Sequence, residues 1–573
     1  MSTAYQQPEQ VSEVVVREPF DSTRTKWVNR VRSADHKVVG QTFIGLSIVA
    51  LALAGFCELL TLIQTSFTDG TVLSPERYYA LLTLSNTTYL YLFALPLIAG
   101  LATYVLPLQI GARTSAFPRL SALGSWMAVW GGALLFFSPV LNVWQGTVQT
   151  SSPLSTYFYS PAAGVDLWLV AVILVAGGLT FNAIDLAVTF KALRAEGITN
   201  ETAPVFAYAS TVYAYGVIVT APVLVAACLM ALIERQWGVF GIFNPVAGGN
   251  ALLWKTLFQW FSHSAPYLVT IGAIGATSEI LAAASGRRLV DSAGVKRAIR
   301  LFAVLAILSF GQVYFGGPVA PAWNFIFMLI GVALVIPATV IVSSWIKTVG
   351  SGQFRPTVPS EYAIVFAVIF TLGIVLHVAF SLPALSQWLA GSAVGTLNWS
   401  VFTLGSGLIG GMAALLYWFP KITGRAFDAS KARLAMALTT AGFVVISIAT
   451  FSLGVDGFGR DLAYYSGGFQ GRNIAILVGF VISLFGVLGL IINFIQSNAN
   501  GAKAGNDPWH AGTLEWFAPS PPPVNNFDAI PAVGSETPLF DVRERIAAGS
   551  GELAGSVAQS PTSGRPSLRE SKH

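Results

Sequence analysis

The sequence predicts an all-α polytopic membrane protein, on three observations. Its 573 residues are 54% hydrophobic and only 10% charged, where a soluble chain carries about 25% charge. Apolar stretches long enough to cross a bilayer recur about twelve times. Basic residues gather in every second loop between those stretches. Mean hydropathy is +0.65.

The first stretch begins near Val38, behind Lys26, Arg30, Arg32 and Lys37. The second begins near Tyr79 and leads to a loop with Arg113 and Arg119. The third and fourth begin near Leu120 and Val165, ahead of Lys191 and Arg194. The fifth and sixth begin near Val205 and Leu252, ahead of Arg287, Arg288, Lys296, Arg297 and Arg300. The seventh and eighth begin near Ile299 and Trp323, ahead of Lys347 and Arg355. The ninth and tenth begin near Tyr362 and Ala393, ahead of Lys421, Arg425, Lys431 and Arg433; the last two begin near Leu434 and Asn473. The alternate loops carry little beyond Arg77, Arg235, Arg460 and Arg472. The positive-inside rule puts both termini in the cytoplasm, and an even span count agrees.

Three regions follow: a polar cytoplasmic N-terminus (1–34), a membrane body (35–498) and a cytoplasmic tail (499–573). The N-terminus shows neither the apolar core nor the cleavage site of a signal peptide. The tail opens with a proline run, which favours extended backbone. From about Gly534 to His573 its Gly, Ser, Glu and Arg predict disorder. The net charge of +5 is explained by the loops, so no nucleic-acid partner is expected. Cys57 and Cys228 sit in apolar stretches, with no CxxC, disulfide framework or thiolate metal site.

The stretch Leu257–Leu281 carries His263 and, four residues on, Tyr267. In a helix the two share a face. Polar groups at membrane depth are costly and therefore functional suspects. The plainer reading is an interhelical hydrogen bond for His263 and packing for Tyr267.

Several motifs point further. Asp35-His36-Lys37 opens the first stretch, PLQIGARTSAFPRLSALGSW follows the second, and YWFPKITGR (Tyr417 to Arg425) follows the tenth. The tail carries TLEW (Thr513 to Trp516), PSPPP (Pro519 to Pro523) and an NF pair. In this order, with twelve spans, the chain closely resembles subunit I of the haem-copper oxidases, the aa3-type cytochrome c oxidases in particular, from about Asp35 to Phe527. The resemblance implies a twelve-transmembrane-helix bundle of the cytochrome c oxidase subunit I type. It implies two haems and a copper held by six histidines, and partner subunits of the II and III types in the bilayer.

The ligand set that the resemblance implies is largely replaced. The chain has five histidines, and only His263 and His377 lie inside spans. The second-span HGTTMIFL reads SNTTYLYL, placing Ser85 at a haem ligand's position. The tenth-span HFH reads NWS, giving Asn398 and Ser400, and the seventh-span HHMF reads QVYF, giving Gln312 and Val313. The sixth-span HPEVY reads HSAPY, which keeps His263 and Tyr267 but has Ala265 for the proton-carrying Glu. A neutral imidazole supplies a lone pair that Ser, Asn or Val cannot replace. The proton routes are altered too, with Thr114, Thr103 and Ser121 in one and Ile341 in the other. Ala390 and Gly391 stand at the outer magnesium site, and Arg460-Asp461 at the propionate-neutralising Arg pair. His377 matches no family ligand and is expected to be structural.

Accordingly no cofactor, metal or catalytic residue is expected, with His263 and Tyr267 as family remnants. One imidazole is too few for copper. Tyr89, Tyr314 and Trp399 are expected to fill the haem space. The function expected is a non-catalytic paralogue, a scaffold or assembly component of a respiratory complex in a prokaryotic plasma membrane. One alternative is an active terminal oxidase subunit passing electrons from cytochrome c to oxygen. Another is a channel or transporter on the emptied fold, with Glu58, Asp185 and Glu279 as its intramembrane acids.

Overall fold

The computed structural model describes residues 30–68, 72–140, 156–158, 160–238, 241–315, 317, 320–459, 461–465, 467–527, 530 and 533–547. Lys26 with the rest of residues 1–29, Arg460, and residues 548–573 with His573 lie outside the described residues.

Eleven helices among the described residues are long and apolar enough to cross a membrane. They are α1 (His36–Thr65), α2 (Pro75–Gln109), α3 (Pro118–Phe137), α4 (Ala163–Ala192), α5 (Val205–Trp237), α6 (Ala251–Ala284), α8 (Pro321–Ser351), α9 (Val358–Ser381), α10 (Ala393–Thr423), α11 (Ala429–Val455) and α12 (Gln470–Asn500). Among the described residues eleven are counted against the twelve expected. The seventh stretch forms α7 (Ser292–Leu308), which is 17 residues long. It then tightens into a 3-10 segment, Ser309–Tyr314, instead of completing a longer α-helix. Caps are where the sequence offers them. The Asp35 carboxylate accepts from Lys37 N at 2.9 Å to start α1, Asn250 caps α6, and Thr357 with Ser360 forms a capping box on α9.

α2 and α6 form the centre. In each, 94% of the most apolar window is buried, against 17% for α12 and 28% for α8 and α11. Close approach around them needs glycine. A Cβ on Gly100 would stand 2.8 Å from the Gly40 carbonyl of α1. α2 and α10 each widen into a π-helical turn, Thr88–Ala94 and Leu404–Gly410. These two segments pack against each other, and a Cβ on Gly407 would meet Ala94 Cβ at 2.8 Å. Such widened turns recur at functional sites.

The motifs at the two ends of the body meet. His36 Nδ1 lies 3.0 Å from the Thr103 carbonyl, and its Nε2 3.1 Å from Asn526 Oδ1. Lys37 Nζ donates to Asn526 Oδ1 at 3.0 Å and to the Val524 carbonyl at 3.1 Å. The TLEW segment is a buried 3-10 turn, Leu514–Phe517. Its Glu515 accepts from Gln109 Nε2 at 3.1 Å and from Trp418 Nε1 at 3.2 Å. The same Gln109 nitrogen donates to Glu279 at 2.7 Å, and Glu279 also accepts from Phe206 N at 2.7 Å. Lys421 Nζ donates to the Ala518 carbonyl at 2.7 Å.

Disorder from Gly534 onward is corrected at its start. Residues Pro538–Ala547 form a helix, α13. Its Asp541 pairs with Arg288, and Arg543 pairs with Asp507. Side chains on both faces, including Phe540 against Gly512, tie it to the body.

Candidate functional site

The residues read as remnants or replacements gather in the half of the bundle away from the tail. His263 Nε2 is 3.0 Å from Ser309 Oγ, at the turn that ends α7. Ser309 already donates its hydroxyl to Ala306 O at 2.8 Å. The bond to Ser309 engages one of the two ring nitrogens of His263. Tyr267 sits beside it, ring centroids 5.4 Å apart. Its hydroxyl turns instead to His377 Nδ1 on α9, at 2.8 Å. Phe402 packs on the Tyr267 ring at 4.8 Å. The Tyr267–His377 pair was legible in principle: a phenol in an apolar span needs a polar partner, and His377 is the other imidazole in the spans.

The replaced ligand positions have ordinary polar roles. Ser85 donates to Glu58 Oε2 on α1 at 2.8 Å. Ser400 donates to the Thr396 carbonyl of its own helix at 2.8 Å. Gln312 Nε2 donates to Ser381 Oγ at 2.9 Å. The Val313 carbonyl accepts from Lys255 Nζ at 3.3 Å. Asn398 Oδ1 has no partner.

Among the positions that the resemblance assigns to proton routes, Thr103, Ser121, Ala265 and Ile341 are built into packing. Ala265 and Ile341 are fully buried. Asn182 Nδ2 joins Thr103 Oγ1 at 2.8 Å to Ser121 Oγ at 2.9 Å. Thr114, Ala390 and Gly391 are exposed. Asp185 accepts from Phe117 N at 2.6 Å, ahead of α3. Asp185, Glu58 and Glu279 thus each have a hydrogen-bond donor.

A cavity of about 530 Å3 lies between α1, α2, α6, α10, α11 and α12. Ser85, His263, Tyr267, Gln312, Asn398 and Ser400 all line it. The expectation that Tyr89, Tyr314 and Trp399 fill this space is wrong. Tyr89 leans edge-on against Phe93, 5.1 Å between centroids. Tyr314 turns away to donate to Thr256 Oγ1 at 2.5 Å, and Tyr89 and Trp399 stand in the wall.

The donors present do not fit the centres that the resemblance implies. One side of the space offers Ser85 where an axial imidazole is needed, and the other offers Asn398 and Ser400. The one imidazole at the copper position is hydrogen-bonded to Ser309, and one imidazole is too few for copper. Among the described residues, no three His, Cys, Asp or Glu side chains form a group able to hold a metal ion.

A bundle of long apolar helices with a buried central pair defines an integral membrane protein. The chain belongs to the family described as Cytochrome C and Quinol oxidase polypeptide I, whose model matches residues 38–502. A cytochrome c oxidase subunit 1 of Corynebacterium efficiens is 31% identical, over 92% of this chain and 93% of its own length. The heme-copper oxidase subunit I+III of Aeropyrum pernix is 30% identical over 90% of this chain, which spans 64% of that longer protein. Among solved structures, a heme-copper terminal oxidase dimer matches with a TM-score of 0.67, over 82% of this chain and 84% of its own, at 17% identity. At that identity the likeness is one of fold.

Proposed function

We propose that this chain is a non-catalytic cytochrome c oxidase subunit I-like protein, a scaffold or assembly component of a respiratory complex. The observation that carries this reading is the donor set. Ser85, Asn398, Ser400, Gln312 and Val313 occupy ligand positions, and His263 alone keeps an imidazole there, hydrogen-bonded to Ser309. A new ligand can rescue one centre, but these losses fall on three separate helical segments. The body meets subunit II-like and III-like partners, a reading supported for the latter by the relative in which subunits I and III form one chain. Its home is a prokaryotic plasma membrane with both termini in the cytoplasm, supported by Arg288 and Arg425, two of the loop cations, lying against the tail.

The test is a reduced-minus-oxidised spectrum of the purified chain. We expect no low-spin haem band; a stoichiometric band overturns the reading. The names of the relatives favour the rival, an active terminal oxidase subunit carrying electrons from cytochrome c to oxygen. Oxygen consumption that is sensitive to cyanide and lost in His263→Ala would establish that rival.

A further inference from the structure

We infer that the cavity between α1 and α10 binds an uncharged lipid, an apolar chain with hydroxyl and carbonyl oxygens at its head, and that the side-chain amides of Asn86 and Gln259 recognise that head group. The inference rests on the reading that haem does not occupy this space.

Size comes first. About 530 Å3 falls within the roughly 300–1,000 Å3 typical of small-molecule sites. The wall is mostly apolar, and such a wall takes an apolar body.

The amides of the wall gather at one end. α2, α6 and α10 run in the same direction. Tyr91 on α2 meets Ser262 on α6 at 2.6 Å in the earlier part of both helices. At their far ends Gln109 on α2 donates to Glu279 on α6, and Trp418 on α10 donates to Glu515 of the tail. Asn86, Gln259 and Asn398 all line the cavity, and each lies in the first half of its helix. The three amides therefore stand at the end of the cavity away from the tail. Further along α10, Leu404, Leu408 and Ile409 line the same space with hydrocarbon. One polar end and one apolar end match an amphiphile lying along the helices.

Those amides are open. Asn86 and Gln259 are half-buried, and among the described residues neither side chain has a hydrogen-bond partner. Asn398 Oδ1 has none either. Each amide offers two donors and an acceptor, and polar groups inside native proteins are normally paired. Ligand hydroxyl and carbonyl oxygens pair with them without burying a charge.

Charge does not select the ligand. The two acids of the wall, Glu58 and Asp461, each have a partner already. Among the described residues no Lys or Arg lines the cavity. An anionic head group finds no cation there, and a cationic one finds no free acid, so either ion is desolvated without compensation.

The test uses the full-length chain in phosphatidylcholine nanodiscs, titrated with probes of one chain length and read by native mass spectrometry. The probes are monomyristin (uncharged, with hydroxyls and an ester carbonyl), myristate (anionic) and tetradecylamine (cationic). We expect saturable binding of monomyristin, at least about tenfold tighter than binding of either ion. Asn86→Leu and Gln259→Leu each weaken monomyristin about tenfold and leave myristate unchanged. Asn398→Leu serves the same purpose if those two variants fail to fold. Ser400→Trp, which fills the space, weakens monomyristin as well. Equal binding of the three head groups overturns the inference, as does tighter binding of either ion or monomyristin binding that survives every substitution. A haem band in the same preparation overturns the non-catalytic reading. Haem-free protein that does not bind monomyristin overturns this inference alone.

Discussion

Around Gln109 the bundle closes on itself, whereas around Ser85 and Asn398 it stays open. At the tail end, one amide nitrogen holds Glu279 and Glu515, and Asn526 bridges His36 and Lys37. The space beside Glu279 there is about 30 Å3, enough for roughly one or two waters. At the other end about 530 Å3 remains between the helices. The same helices, α1, α2, α6 and α10, run through both ends. The contrast teaches that the fold is secured from the tail side. Substitutions at Ser85, Asn398 and Ser400 are therefore expected to leave the bundle intact.

Substitutions at the two ends should separate in size. Gln109→Leu leaves two buried carboxyl groups facing each other without their shared donor. We expect a loss of about 3 kcal/mol in unfolding free energy, read from denaturation in mild detergent. A cost below that of His263→Ala would break the comparison. Asn526→Leu removes the partner of His36 and Lys37. It should cost about 2 kcal/mol and make the tail more sensitive to protease.

The tail end should also respond to pH. Burial pushes the Glu515 carboxyl above the ordinary carboxylate range. Folded protein therefore holds this proton more tightly than unfolded protein does. Its contribution is fully present below the unfolded pKa and is lost as pH rises through the raised folded value. Glu279, Lys421 and Asp507 are the charged groups nearby. Protease nicking of the tail should increase over that rise in pH, and Glu515→Gln should flatten the response. A wild-type profile that coincides with that of Glu515→Gln would remove Glu515 from the account.

The cavity end should be tolerant. His263→Ala removes one interhelical hydrogen bond, for about 1 kcal/mol. Ser400→Leu loses only a bond within its own helix and gains apolar contact, so the change should stay within about 0.5 kcal/mol. A large loss at Ser400, seen in the same denaturation assay, would mean that the open end also carries the fold.

Much of the fold was legible because the signals are periodic or compositional. Bilayer-length stretches located α1 and α12, and caps such as Asp35 and Asn250 marked starts. The shortness of α7 was not legible. Whether Ser309–Tyr314 continues as α-helix or tightens depends on packing against α8, which no local pattern encodes. The candidate site was legible as identities, Ser85 through Ser400, but not as a volume. Tyr89 and Trp399 are large enough to occupy the space, and which way each ring turns is settled by neighbours such as Phe93. Partners also escaped the sequence. Glu58 and Ser85 are 27 residues apart, and only the three-dimensional arrangement pairs them.

The contact between His36 and Asn526 joins positions 490 residues apart. A chain made from its N-terminus places His36 at the membrane long before Asn526 exists. Until the tail emerges, the ring lacks its Asn526 partner and Lys37 keeps its pairing with Asp35. The last step of synthesis thus completes the setting of the first helix. A chain ending before Asn526 carries every membrane-spanning segment and still leaves the foot of α1 incompletely bonded, which gives quality control a local feature by which to tell an unfinished chain from a finished one.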